Sequence, residues 1–387
     1  MLYVSRRTIV GIIVILILMI ALAVRSSQLL VGFMEQQPSG PPYYLGIAME
    51  LSGAVGTWGQ AASKGVQLAV DECNDRGGIG GRPVQTFTGD ASDVTALQGL
   101  VTEVQKKAAV AVIGPVTPSK AEVLAKAALP LPVVSLATHP SIPSLGSNIF
   151  QGSYDDRQLG AGAAAFALKK LGTKAVIVIE DKSAYAQSLA QAFRAAYESS
   201  GGKVIRLLPY KRGQQDFSWA IGQAMTTDPD VIYLPGYAKE ARAFLREARQ
   251  KGCTIPVIGG DSMEMVGKEL LAGDGGQTDW RLFYTTPNVL LAAIPESERF
   301  ARDYQQRYGE EAQPMALWAY DATCTVLEAL RVAVQAGDAT QIDRYLAGGQ
   351  GMQVAGGQLI IDNGHWARRP LVVMQVDRTA KMIEIMP

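Results

Sequence analysis

From residue 43 to residue 285, short apolar runs alternate with longer stretches whose apolar positions recur every three or four residues. That spacing marks one buried face of a helix, and an unbroken apolar run of strand length marks a strand covered on both faces. Over 61–74, Ala62, Val66, Ala69, Val70 and Cys73 share such a face, just after the apolar run 45–49. The same alternation predicts strands at 83–88, 109–113 and 131–135 with helices at 95–107 and 120–128 between them. After a break at 140–147 it predicts helices at 156–171, 184–199, 217–226 and 239–251 among strands at 174–180, 203–208, 231–234 and 256–258. A βαβ series of this kind folds into parallel sheets flanked by helices, an α/β architecture.

The pattern then changes. Beyond a strand at 281–285 come two mainly helical stretches, 296–308 and 315–335, followed by strand segments at 358–361, 371–376 and 382–385. A helical insertion followed by strands is not a tandem βαβ repeat, and it implies that the chain crosses more than once between two lobes. Asn363-Gly364 is a hairpin signal between two of the late strands. A chain of 387 residues, 48% hydrophobic, is long enough for two or three domains of about 100–200 residues.

The N-terminus carries a different message. Residues 8–24 are almost wholly apolar and lie between Arg6-Arg7 and Arg25, the charge arrangement of an export signal. The stretch is either an uncleaved membrane anchor or a signal cleaved near Ala21-Leu22-Ala23. In both cases the rest of the chain is exported. Residues 1–25 thus form a signal or anchor and 26–42 a linker, whose Pro38-Ser39-Gly40-Pro41-Pro42 favours extended backbone.

Several functions are excluded. Lys plus Arg number 36 and Asp plus Glu number 36, with no basic stripe, so nucleic acid is not an expected partner. Two histidines and three scattered cysteines, Cys73, Cys253 and Cys324, offer no metal-ligand spacing, and the cysteines are expected to be buried free thiols. No G-x-S-x-G elbow, phosphate loop or H-E-x-x-H is present. The glycines of Gly77-Gly78-Ile79-Gly80-Gly81 follow a helix, so they read as its C-cap and not as a dinucleotide fingerprint, which would open one. His139 is expected in a loop and His365 in a structural role.

Ligands of open α/β sheets bind beyond the carboxyl ends of the strands. Four such ends here carry small polar residues: Leu51-Ser52-Gly53, Gly114-Pro115-Val116-Thr117-Pro118-Ser119, Leu136-Ala137-Thr138 and Gly259-Gly260-Asp261-Ser262. Hydroxyls and amides at a helix start suit a carboxylate. An acid facing them would complete a site for a zwitterion.

With those ends in place, Leu51-Ser52-Gly53, Gly59, Gly65, Leu68-Ala69-Val70, Asn74 and Gly77-Gly78-Ile79-Gly80-Gly81 resemble the opening signature of the leucine/isoleucine/valine-binding proteins. These are the type I periplasmic binding proteins of branched-chain amino acid ABC importers. The resemblance continues in order through Val112-Ile113-Gly114-Pro115-Val116-Thr117, Ala137-Thr138, Asp181, Tyr185, Asp216-Phe217, Tyr233, Gly236-Tyr237, Pro314 and Ala319-Tyr320-Asp321-Ala322. It implies two Rossmann-like lobes joined by a three-strand hinge, lobe one taking 43–152 plus 286–352 and lobe two 153–285 plus 353–387. It further implies a binding protein, not an enzyme. Such a protein uses no cofactor, captures an amino acid or related small polar ligand by hinge closure, and delivers it to an ABC transporter permease.

By the same resemblance, lobe-one groups at Thr117, Ser119 and Thr138 would hold the ligand carboxylate, and Leu136 would offer its carbonyl to the ammonium. Asp261 would pair with that ammonium from lobe two, with Trp58, Tyr185 and Tyr237 packing on the ligand. The chain departs from the family at Pro118, where a serine is expected, at Asp261, where leucine-binding members carry glutamate, and at Tyr185-Ala186, where Tyr-Gly is customary. A tethered sensor of the same fold is an alternative. A NAD-type dehydrogenase would need a G-x-G-x-x-G turn that Glu50-Leu51-Ser52-Gly53-Ala54 lacks.

Overall fold

The computed structural model describes residues 38–273, 281–288, 290, 294–376 and 382–386. The N-terminal signal or anchor at 1–25 lies outside these residues. Among the described residues no helix is long and apolar enough to cross a membrane.

Among them, two sheets carry the fold. The first joins β1 (Tyr43–Met49), β2 (Val84–Asp90), β3 (Ala111–Ile113), β4 (Val133–Ser135) and β5 (Ile149–Gln151) in the order β2-β1-β3-β4-β5, all parallel. Its helices are α1 (Gly56–Asp75), α2 (Val94–Lys106) and α3 (Pro118–Lys126). α4 (Asp156–Lys170) then leads into the second sheet: β6 (Lys174–Glu180), β7 (Lys203–Tyr210), β8 (Val231–Tyr233), β9 (Val257–Gly259) and β10 (Leu282–Thr286), also parallel. Between these strands run α5 (Ala184–Ser199), α6 (Ser218–Thr227), α7 (Ala238–Gln250) and α8 (Met263–Gly273).

α9 (Pro295–Tyr308) and α10 (Pro314–Gln335) bring the chain back to the first half, where α10 packs along α1. A small antiparallel sheet of β11 (Met352–Val354), β12 (Gly357–Ile361) and β13 (Ala367–Arg368) follows. The chain ends in the second sheet, where β14 (Leu371–Val376) pairs antiparallel with β10 and β15 (Met382–Met386) pairs with β14. The chain therefore passes between the halves near residues 152–155, after β10, and again through 355–370.

Local chemistry explains the boundaries. All of β6 except Lys174 is buried, as a strand covered on both faces requires. Asp93, Asp155 and Ser183 cap α2, α4 and α5 by accepting the amides of Ala96, Arg157 and Ala186 at 2.9, 2.9 and 3.1 Å. α3 and α10 begin two and one residues before the sequence expectation because Pro118 and Pro314 occupy the first helical turn, where a missing N–H costs nothing. Gly77 and Gly78 adopt left-handed backbone at the end of α1 and return amides to the carbonyls of Asn74 and Cys73. β5, β11 and β13 escaped the sequence reading, being two or three residues each and set outside the regular strand–helix alternation.

Some expectations need correction. All three cysteines are free, but only Cys73 is buried while Cys253 and Cys324 are half-buried. The hairpin at Asn363-Gly364 turns β12 back onto the two-residue β13, with Asp362 accepting the amides of Gly364 and Trp366; 371–376 joins the other sheet instead. His139 sits in a loop with its Nδ1 2.7 Å from the Ser141 hydroxyl, and His365 stacks on Phe150 at 4.0 Å.

The helix pairs approach closely through glycine. A β-carbon at Gly65 in α1 would lie 2.0 Å from the carbonyl oxygen of Ala316 in α10, and one at Gly160 in α4 would lie 2.2 Å from that of Leu189 in α5. Alanine is a better helix former than glycine by about 1 kcal/mol, yet overpacking of this kind costs about 1–3 kcal/mol. Gly65→Ala is therefore expected to lower the urea midpoint. A raised midpoint would mean that the two helices do not meet at this point.

Candidate functional site

The carboxyl ends of β1, β3 and β4, neighbours in the first sheet, bring Glu50, Val116-Thr117 and Leu136–Thr138 to one edge. Glu50 is only 3% exposed. Its carboxylate accepts the amides of Val116 and Thr117 at 3.0 and 3.1 Å and the Thr117 hydroxyl at 2.5 Å. Thr117 is thus already committed to an acid of its own chain. Ser119 is exposed, its hydroxyl 3.4 Å from that of Thr117. Leu136 is fully buried and its carbonyl accepts the Ser153 hydroxyl at 2.8 Å. Thr138 is half-buried, and its carbonyl accepts the amide of Asp156 at 3.0 Å. Trp58, in the first turn of α1, is 51% exposed.

From the second half, the loop between β9 and α8 presents Asp261. Its Oδ1 accepts the Tyr185 phenol at 2.5 Å and its Oδ2 the Tyr154 phenol at 2.8 Å. The Tyr185 ring stacks on Tyr237, with centroids 5.4 Å apart, and Tyr237 sits at the start of α7 with 41% of its surface exposed. Trp318 of α10 meets the Tyr154 ring edge-on at 5.0 Å. Burial pushes the Asp261 carboxyl up, opposed by the hydrogen bonds from Tyr185, Tyr154 and the Ser262 amide. Burial, then the Asp261 charge, pushes both phenols well above their ordinary range.

A second acid stands beside the first. Asp156, in the first turn of α4, is 3% exposed, and its Oδ1 has no hydrogen-bond partner among the described residues. Burial, then the charge of Asp261, pushes its carboxyl up to about 7, with the Thr138 side chain pulling the other way. The Tyr233 hydroxyl and Trp318 Nε1 are likewise buried and unpartnered. Among the described residues no lysine or arginine pairs with Asp156 or Asp261.

Of the eight residues singled out in the sequence, Tyr185, Tyr237 and Asp261 form one cluster, and Thr138 joins it through Asp156. Thr117 and Leu136 are engaged elsewhere, while Ser119 and Trp58 remain exposed. Sequence reasoning missed Glu50, Tyr154 and Asp156. Asp155-Asp156 at a helix start looks like a pair of capping residues, and only Asp155 caps. A second acid beside a cap was the available signal.

This arrangement can take a cation. Two carboxyl groups, Asp156 and Asp261, both on the second half of the chain's path, share a dry cluster, one with a free oxygen, and aromatic rings surround them; a protonated amine would supply the missing donors. The Leu/Ile/Val-binding protein BraC3 of Rhizobium johnstonii is 31% identical over 57% of this chain and 61% of its own. The Leu/Ile/Val-binding protein homolog 3 of Brucella melitensis is 29% identical over 60% and 65%, so the chain spans less than two thirds of the length of these curated relatives. The isoleucine complex of the substrate-binding protein LivJ from Streptococcus pneumoniae superposes with a TM-score of 0.67 and 25% identity, covering 89% of this chain and 99% of that one. The profile of the family described as periplasmic binding protein matches residues 42–381, and the chain belongs to that family.

Proposed function

We propose that this chain is an exported solute-binding protein that captures a small amine-bearing solute between two lobes and presents it to the permease of an ABC importer. The lobes would comprise 43–152 plus 286–352 and 153–285 plus 353–387, closing about the passages near 152–155, after β10 and through 355–370. The observation that carries the reading is the acid pair Asp156 and Asp261, buried and, among the described residues, without a cationic partner and with one oxygen unbonded. Unpaired acids at this depth are costly, and a ligand ammonium offsets that cost. The names of the relatives, and the isoleucine bound by the superposed LivJ protein, support an amino acid or a near analogue as ligand.

Tyr185, Tyr237 and Trp58 would pack on the ligand, and Ser119 and Thr138 offer hydroxyls from the other side. Capture involves no bond making. A closed form would expel water and so strengthen each polar contact, and the permease would recognise that form through a population shift set by differential affinity. Export would follow from residues 1–25, which also offer a membrane attachment if uncleaved.

Small-angle scattering with and without a panel of amino acids, amino-acid amides and amines tests this directly. The expected result is a smaller radius of gyration with the cognate solute, accompanied by a raised melting temperature through mass action. Unchanged scattering with the whole panel, or chemical turnover of any member, would sink it.

A further inference from the structure

The acids of the site do not balance as a site for a zwitterion would. Asp156 and Asp261 suit an ammonium, but of the residues expected to receive a carboxylate on the first-sheet side, Thr117 is already occupied by Glu50, which leaves only the hydroxyls of Ser119 and Thr138. The two oxygens of Glu50 take the amides of Val116 and Thr117 and the hydroxyl of Thr117. The next position is Pro118, which has neither hydroxyl nor N–H to donate. Glu50 is also held in place from behind: α1 presses on it so closely that a β-carbon on Gly59 would lie 1.8 Å from the Glu50 carbonyl oxygen. No lysine or arginine bonds Glu50 among the described residues. The basic side chain beside the tyrosines, Arg212, lies 5.2 Å above the Tyr237 ring and gives its Nε to the buried Glu180 at 2.8 Å.

Resting on the solute-binding reading above, we infer that Glu50 stands in for the ligand carboxylate, so that the protein selects a small organic amine lacking that carboxylate over the corresponding amino acid. An incoming carboxylate would meet a buried negative charge where it needs donors, and like charges brought together out of water repel strongly. An amine, or an amino acid whose carboxylate is masked as an amide, brings the ammonium for Asp156 and Asp261 without that conflict. Ser119 and Thr138 then have a neutral group to bond, not an anion. Specificity of this kind works by repelling the wrong ligand, with little demand on new attraction.

Isothermal titration calorimetry of the full exported chain with matched probes tests the inference: leucine, leucinamide and 3-methylbutylamine, and the same series with small and aromatic side chains. The expected result is that the best amide or amine binds at least tenfold more tightly than its amino acid. Glu50→Ala, which frees the amides of Val116 and Thr117 and the Thr117 hydroxyl, should shift that ratio at least tenfold toward the amino acid. An amino acid that binds the unaltered protein as tightly as its amide overturns the inference and leaves the solute-binding reading standing. Absence of binding and of compaction across the whole panel removes both. Because the decisive ratio is measured first on the unaltered protein, a Glu50 variant that fails to fold does not protect the inference.

Discussion

Asp321→Asn should cost the protein about 3–5 kcal/mol of stability, the expected penalty for leaving one member of a buried ion pair without its partner. Arg369 and Asp321 are 1% and 0% exposed at the side chain and meet at 3.0 Å. The guanidinium also donates to the carbonyls of Ser153 at 2.6 Å and Gly152 at 3.4 Å, while Asp321 accepts the amide of Gly356. This node therefore joins α10 to two of the chain's passages between halves, 152–155 and 355–370. Burial pushes the Asp321 carboxyl up to about 6, with Arg369 pulling the other way. Above that pH the acid is charged and the pair intact; the neutral asparagine leaves the guanidinium uncompensated at every pH.

Urea denaturation of the single and double variants separates the pair from the packing. Asp321→Leu combined with Arg369→Met should recover a good part of the loss of Asp321→Asn, since replacing both partners by apolar groups removes the stranded charge. A single variant within about 0.5 kcal/mol of the unaltered protein, the range of ordinary surface substitutions, would show that the node contributes nothing to holding the passages together.

The layered architecture was legible because it depends on periodicity, which is written in consecutive residues. The run at 174–180 and the amphipathic helices around it have only one compact solution, parallel strands under helices. The return of α10 to the first half was legible only as a broken pattern. Its physical cause is a pair of contacts no local window contains, Gly65 against Ala316 and the Tyr320 phenol donating to Glu72 at 2.7 Å. The site was legible in the same uneven way. Asp261 stood out because it follows a strand end. Glu50 lies just past the strand at 45–49, in a stretch read only for its lack of a G-x-G-x-x-G turn, and its role depends on amides sixty-six and sixty-seven positions away. Asp156 was hidden by its neighbour Asp155, which has the capping job that both residues advertise.

Asp156 also sets the second large effect, a binding affinity that climbs with pH. A carboxyl ordinarily near 4 in an unfolded chain is pushed to about 7 here by burial and by Asp261. The neutral form is thus favoured by folding, so without ligand this group's contribution to stability is full below about pH 4 and is lost as pH rises through about 7. A bound ammonium reverses the preference, since it favours the ionised pair. An alkylamine near the lysine value of about 10.4 stays protonated throughout, so the change in affinity reports the acids. From pH 6 to pH 8 the association constant should rise about tenfold, by roughly 1.4 kcal/mol, as the two acids titrate together as a pair. Calorimetry in buffers of different ionisation enthalpy should detect a proton released on binding at pH 6. Asp156→Asn should abolish both the slope and the proton release, and Asp261→Ala should weaken binding at pH 8 at least tenfold, about 1.4 kcal/mol. A flat profile in the unaltered protein would mean that the ammonium does not reach Asp156, and the acid pair would lose its place in the mechanism.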